Sequence, residues 1–125
     1  MSERDAPRPS TRVLVVEDEA LLALDYAQQL RDAGLEVVGL VASVANGLKI
    51  ISEGGCDVAV LDVNLGNETS APIASALRAR GTPFIVVSGY SSVEHPDDLR
   101  GAPSLSKPIR QGDLVAALRQ CIKNA

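Results

Sequence analysis

Residues that can do chemistry stand directly after four apolar runs of the sequence. Glu17 and Asp18 follow VLVV, Asp62 follows VAVL, Ser88 follows FIVV, and Lys107 follows the weaker run PSLS. Three carboxylates brought together repel one another unless a hard dication such as Mg²⁺, which prefers oxygen ligands, binds between them. A carboxylate can also accept a phosphoryl group, while an ammonium and a hydroxyl stabilise the charge on its oxygens. These residue types therefore indicate phosphoryl transfer to an aspartate.

Each of these residues also has an ordinary structural explanation. Asp18 can begin a helix as its N-cap, and Asp62 can be a turn residue at the end of a strand. Ser88 can belong to a plain loop, and Lys107 can be a surface lysine before a helix. The joint pattern favours chemistry, because each group follows a different apolar run in turn.

The apolar runs predict strands, because they are short, rich in β-branched residues and apolar on both faces, as in a buried parallel sheet. The predicted strands are 13–16, 36–41, 57–61, 84–87 and 103–106. Helical spacing and helix-ending glycines predict helices over 19–33, 44–53, 68–80 and 110–123. Such alternation predicts a three-layer α/β domain in which the strand ends converge on one crevice.

Bulk properties restrict the class of protein. The chain has 125 residues and a net charge of −4, which suits one domain and disfavours nucleic-acid binding. It has neither an apolar run of ~20 residues nor a secretory signal, so we expect a cytoplasmic protein that does not bind membranes. We expect a flexible arm over 1–11 and one domain over 12–123. Cys56 and Cys121 are expected to be buried, reduced thiols.

The segments VLVVEDE, VAVLDVN, IVVSG and SLSKP resemble the motifs of response-regulator receiver domains, across residues 12–123. The resemblance implies a flavodoxin-like (βα)5 fold with the parallel sheet order 2-1-3-4-5. It also implies that Asp62 is the phosphoacceptor. Mg²⁺ is then held by Glu17, Asp18, Asp62 and the main-chain carbonyl of Asn64. Such a domain would promote only its own phosphorylation and dephosphorylation, and would not be an enzyme otherwise.

Two further residues take roles from the same resemblance. Ser88 stands in the place of the family's switch hydroxyl, and Lys107 pairs with the phosphoryl group. Most receivers carry an aromatic residue three positions before this lysine, where the present chain has Ser104. The segment between Ser88 and residue 103 is also short and polar, so we expect a short or irregular fourth helix with a turn near 96–100.

These departures resemble the FATGUY subgroup of receivers. Phe84, the stretch 88–90 and the stretch 62–69 match parts of that pattern. Tyr90 then becomes the mobile switch aromatic, or it simply covers the loop. We also hypothesise that phosphorylation orders the loop over 89–100, because phosphorylation adds negative charge beside it. His95 lies in this loop and is expected to be exposed without a role.

The receiver resemblance implies a sensor histidine kinase or a histidine phosphotransfer protein as the phosphoryl donor. The sequence shows no effector region after residue 123, which predicts a stand-alone receiver acting by protein contact or phosphoryl shuttling, as a monomer or weak homodimer. Three alternative functions share parts of this pattern. A haloacid-dehalogenase-like phosphatase needs a second acid where Asn64 stands, and a P-loop hydrolase needs a GxxxxGK[ST] loop that is missing from the sequence. A pseudo-receiver that only binds a partner would not need all of the site residues.

Overall fold

The computed structural model describes residues 10–89 and 96–124 of the chain. The predictions for Tyr90 and His95 lie outside these ranges. The same holds for most of the expected arm over 1–11 and for the central part of the loop over 89–100. These expectations therefore stay predictions.

Five parallel strands form the central sheet, in the order β2-β1-β3-β6-β7. They are β1 (Arg12–Val16), β2 (Glu36–Val41), β3 (Val58–Asp62), β6 (Phe84–Ser88) and β7 (Ser104–Ser106). Every residue of β3 and β6 is buried, as expected for central strands covered on both faces. The predicted order 2-1-3-4-5 is confirmed, because β6 and β7 are the fourth and fifth strands of this sheet.

Helices cover both faces of the sheet. They are α1 (Ala20–Asp32), α2 (Val44–Ser52), α3 (Ala71–Ala79) and α4 (Asp113–Lys123). Alternate residues of a strand point to opposite faces. Leu61 of β3 therefore packs with α2 and α3, whereas Val60 packs with α1 and α4. The predicted three-layer α/β architecture is confirmed.

Two predicted helices begin later than the sequence pattern suggested. The helix expected over 68–80 starts at Ala71, because the preceding residues form a two-stranded hairpin, β4 (Asn64–Leu65) and β5 (Glu68–Thr69). The helix expected over 110–123 starts at Asp113. The residue before it, Gly112, has φ +91°, a left-handed conformation that cannot belong to the helix.

In the described part of the segment between β6 and β7, the chain forms a 3₁₀ turn at Asp97–Leu99, in agreement with the predicted short or irregular fourth helix. Leu99 is buried in the core on the α3 side of the sheet. Arg78 of α3 holds the turn by donating hydrogen bonds from Nε to the carbonyl of Asp98, at 3.0 Å, and from Nη2 to that of Arg100, at 2.9 Å.

Both cysteines are free, as expected from the sequence. Cys121 is buried and Cys56 is half-buried. Burial raises the pKa of each thiol, which keeps the sulfur protonated and unreactive at neutral pH. Among the helices of the described ranges, none combines the length and apolar character that crossing a membrane would require.

Two leucines of α1, one buried and one exposed, test which face of the helix packs against the sheet. Leu30 is fully buried, whereas Leu21 is 83% exposed. Leu30→Ala should lower the free energy of unfolding by about 2–5 kcal/mol, because it removes contacts and leaves a cavity. Leu21→Ala should change it by less than about 0.5 kcal/mol. Urea denaturation followed by circular dichroism measures both; equal losses would contradict the assignment.

Candidate functional site

The carboxyl ends of four strands meet at one edge of the sheet, because parallel neighbours end together. Main-chain hydrogen bonds join these ends: Val63 N donates to the carbonyl of Val87, at 3.1 Å, and Lys107 N donates to that of Ser88, at 3.0 Å. Asp62 is the last residue of β3, and Ser88 is the last residue of β6. The strand ends thus converge as the sequence pattern predicted.

Three carboxylates form the centre of the site. Glu17, Asp18 and Asp62 each place one carboxylate oxygen within 4.8 Å of the others. Glu17 and Asp62 are buried, at 3% and 6% exposure, while Asp18 is exposed. The cluster is therefore closed towards the sheet and open to solvent on the side of Asp18.

Lys107 is the cation of the site. Its Nζ donates a hydrogen bond to Oδ2 of Asp62, at 3.1 Å, and lies 3.0 Å from Oε1 of Glu17. Burial acts to lower the pKa of Lys107, but the two carboxylates outweigh it and raise the pKa above its ordinary value. Lys107 is therefore charged at neutral pH and offsets only part of the negative charge around it.

This arrangement makes Glu17 harder to ionise. Burial, and after it the hydrogen bond with Asp62, raise the pKa of Glu17 from 4.5 to about 7, against the opposing effects of Lys107 and the Glu19 N–H. Oε2 accepts the Glu19 N–H at 3.2 Å. Oε1 is buried, and the Lys107 ammonium lies 3.0 Å from it. This contact is an ion pair, and no described residue gives Oε1 a well-aligned hydrogen bond.

This set of donors fits a magnesium ion. All three side chains offer oxygen, which hard dications prefer, and Oε1 of Glu17 is buried without a well-aligned hydrogen bond from the described residues. Mg²⁺ usually keeps several waters, so two or three protein carboxylates are enough. The residues that would hold it are Glu17, Asp18 and Asp62. The carbonyl of Asn64, which begins β4 two residues after Asp62, stays a predicted ligand.

Asp18 is not the N-cap of α1, contrary to the ordinary explanation of that residue. Glu19 occupies the N-cap position. Asp18 is instead exposed beside Glu17 and Asp62, where its carboxylate faces the same small volume as theirs. Ser88, the expected switch hydroxyl, is buried at 2% exposure on the neighbouring strand end.

Two features near the site were missed by the sequence reasoning. One is the β4–β5 hairpin, although the Gly66-Asn67 dipeptide between its strands is a known hairpin signal. The other is Tyr26 of α1, buried at 3% exposure. Burial, and after it the charge of Glu17, raise the pKa of Tyr26 to about 12. No local pattern distinguished Tyr26 from an ordinary core residue.

Comparison with known proteins agrees with this geometry. The sequence profile of the family described as Response regulator receiver domain matches residues 13–119. Transcriptional regulatory protein PdtaR of Mycobacterium tuberculosis is 30% identical, over 97% of this chain and 60% of PdtaR. SdrG from Sphingomonas melonis Fr1 is similar in structure, with a TM-score of 0.78 and 38% identity over 90% of this chain and 97% of SdrG. The chain thus spans about three fifths of the length of PdtaR.

A more distant likeness bears on the fold alone. A CheY-like response regulator receiver domain protein from Methanospirillum hungatei JF-1 has a TM-score of 0.82 at 24% identity. The match covers 93% of this chain and 96% of that one. The described ranges of the present chain therefore have the same flavodoxin-like architecture.

The raised pKa of Glu17 predicts how stability depends on pH without metal. Ionising Glu17 costs more in the folded state than in the unfolded chain, so wild type loses stability as pH rises from about 4.5 to about 7. Glu17→Gln avoids this loss and should gain about 1–3 kcal/mol relative to wild type across that range. Urea denaturation in EDTA at several pH values measures it. The exposed control Glu36→Gln should parallel wild type, and a parallel profile for Glu17→Gln would contradict the prediction.

Proposed function

The chain belongs to the response regulator receiver domain family, and we propose that it accepts a phosphoryl group on Asp62 with Mg²⁺ bound beside it. One observation carries the proposal: Oδ2 of Asp62 lies 3.1 Å from the Lys107 ammonium, inside a cluster with the carboxylates of Glu17 and Asp18. The nucleophile, a cation for the incoming charge and the candidate metal ligands therefore share one small volume.

The proposed reaction moves a phosphoryl group from a phosphohistidine to Asp62. A carboxylate oxygen of Asp62 forms a bond to phosphorus, the phosphorus–nitrogen bond breaks, and the nitrogen of the leaving imidazole takes up a proton. Mg²⁺, when bound, neutralises charge on the phosphoryl oxygens. Lys107, already held within hydrogen-bonding distance of Asp62, is placed to bind another of those oxygens. Ser88, at the end of the adjacent strand, is proposed to contact a third.

The site residues fit the function of a receiver better than that of a phosphatase of the haloacid-dehalogenase type. That mechanism needs an acid two residues after the nucleophile, where this chain has the carboxamide of Asn64. The early acidic pair, Glu17 and Asp18, contributes to the cluster around Asp62, as a receiver requires. We therefore propose no turnover of an outside substrate. A pseudo-receiver is disfavoured, because Lys107 contacts both Glu17 and Asp62, and Asp18 lies in the same carboxylate cluster.

The proposed donor is a sensor histidine kinase or a histidine phosphotransfer protein, in the cytoplasm. Output would follow by contact with a protein target or by passing the phosphoryl group on in a phosphorelay, as a monomer or weak homodimer. The domain limits 12–123 and the single-domain organisation stay predictions. Membership of the FATGUY subgroup, and with it a switch role for Tyr90, also stays a prediction.

Intact mass spectrometry tests the phosphoacceptor. Wild type with acetyl phosphate and MgCl2 should gain a single phosphoryl adduct, and EDTA should abolish it. Asp62→Asn should gain none, because the amide is not a nucleophile of this kind. Asp97→Asn, which changes a carboxylate whose side chain is 93% exposed, should behave like wild type. The same adduct in Asp62→Asn, or none in wild type, would overturn the proposal.

Lys107→Ala should separate metal binding from phosphoryl transfer. The ammonium opposes a bound dication, so its loss should leave the Mg²⁺ affinity unchanged or higher. Its loss should slow adduct formation by about 10²–10³-fold, because one group that stabilises the transferred charge is missing. Magnesium titration by NMR and a time course by mass spectrometry measure the two effects. Lys49→Ala, on the exposed surface of α2, is the control and should change neither.

A further inference from the structure

The turn between β2 and α2 contacts two segments next to the acidic cluster. At one end of the turn, the carbonyl of Val41 accepts a hydrogen bond from the main-chain N–H of Glu17, at 2.9 Å. At the other end, the main-chain N–H of Val44 donates to Oε1 of Glu68, at 2.8 Å. Glu68 belongs to β5, in the hairpin that begins two residues after Asp62. The turn therefore connects the Glu17 loop with the chain that leaves Asp62.

The position of the β4–β5 hairpin depends on contacts with neighbouring segments, such as the hydrogen bond from Val44 to Glu68. Each of its strands has two residues, and an isolated hairpin is at best marginally stable even when it is longer. Its base is closed by a hydrogen bond from Ser70 N to the carbonyl of Val63, at 3.0 Å, and Leu65 is buried in the core. Glu68 connects the other strand to a separate element, the first turn of α2.

The bond from Val44 to Glu68 has a favourable electrostatic setting. A carboxylate at the first turn of a helix is stabilised by unpaired N–H groups and by the helix dipole, and its hydrogen bonds are charge-assisted. Ser43, the N-cap residue, satisfies a different donor, because its Oγ accepts the Asn46 N–H at 3.2 Å. The two residues thus complement the same helix end, and only Glu68 comes from the hairpin.

We propose that Glu68 is a positioning residue for the metal site: its bond to Val44 fixes the Asn64-bearing hairpin relative to Glu17 and Asp18. The inference rests on the proposed Mg²⁺ function. Mg²⁺ demands near-ideal octahedral geometry, so displacement of one ligand-bearing segment weakens binding. Groups that orient metal ligands without touching the metal typically contribute 10–100-fold to metal affinity.

Magnesium titrations by NMR on four proteins test this role without relying on phosphorylation. Glu68→Ala should raise the Kd for Mg²⁺ about 10-fold relative to wild type. Glu68→Gln should stay close to wild type, because the amide oxygen can accept the Val44 hydrogen bond without a charge. Ser43→Ala is the matched control. It weakens the same helix end and should lower the urea midpoint by a similar amount, yet leave the Kd unchanged.

Three results would contradict the role of Glu68, and a fourth would contradict the metal site. A Glu68→Ala protein that binds Mg²⁺ like wild type would overturn the inference. Equal weakening in Ser43→Ala would overturn it too, since general loosening of α2 would then be the cause. Equal weakening in Glu68→Gln would show that long-range charge attraction, rather than the hydrogen bond, matters. A wild type that binds no Mg²⁺ would refute the proposed metal site itself, which the other outcomes leave standing.

Discussion

Repulsion between buried carboxylates is the constraint around which this molecule is organised. Glu17 and Asp62 are withdrawn from water, and both contact the ammonium of Lys107. Two like charges 4 Å apart oppose each other by about 4 kcal/mol at the effective dielectric constant of ~20 that suits protein sites. The fold tolerates this because Lys107 contacts both groups and because the raised pKa of Glu17 lets a proton offset the remaining charge near neutral pH. The site is thus poised to take up a cation.

The sheet prevents the carboxylates from relieving their repulsion by moving apart. β3 and β6 are buried along their whole length between two layers of helices, and the hydrogen bond from Val63 to Val87 fixes their ends. Lys107 is held in the same way by its main-chain bond to Ser88. A parallel sheet brings the carboxyl ends of its strands to one edge. The repulsion between the carboxylates is therefore a direct result of the strand topology. This repulsion would favour the binding of a cation.

The main strands, and the positions of the candidate site residues at their ends, could be predicted because their signals are local. Asp62 and Ser88 end continuous apolar runs, and such runs are read directly as buried strands. The β4–β5 hairpin could not be predicted from periodicity, because a strand of two residues is too short for the alternation of faces to repeat. The burial of Glu17 was equally hidden, since it depends on elements distant in sequence. Ser104 stands where most receivers have an aromatic residue, and it is exposed on the edge strand β7.

A contact that positions a binding site is necessarily strengthened when the site is filled. Binding free energies are reciprocal: if the bond from Glu68 to Val44 improves Mg²⁺ affinity 10-fold, bound Mg²⁺ favours that bond by the same factor, about 1.4 kcal/mol. The first turn of α2 would then respond to occupancy of the site. The aromatic that most receivers carry on the last strand is replaced here by the exposed Ser104. A conformational change transmitted through Glu68 would reach α2. This helix follows β2, which lies at the opposite edge of the sheet from β7. Such a change would need no aromatic residue at position 104.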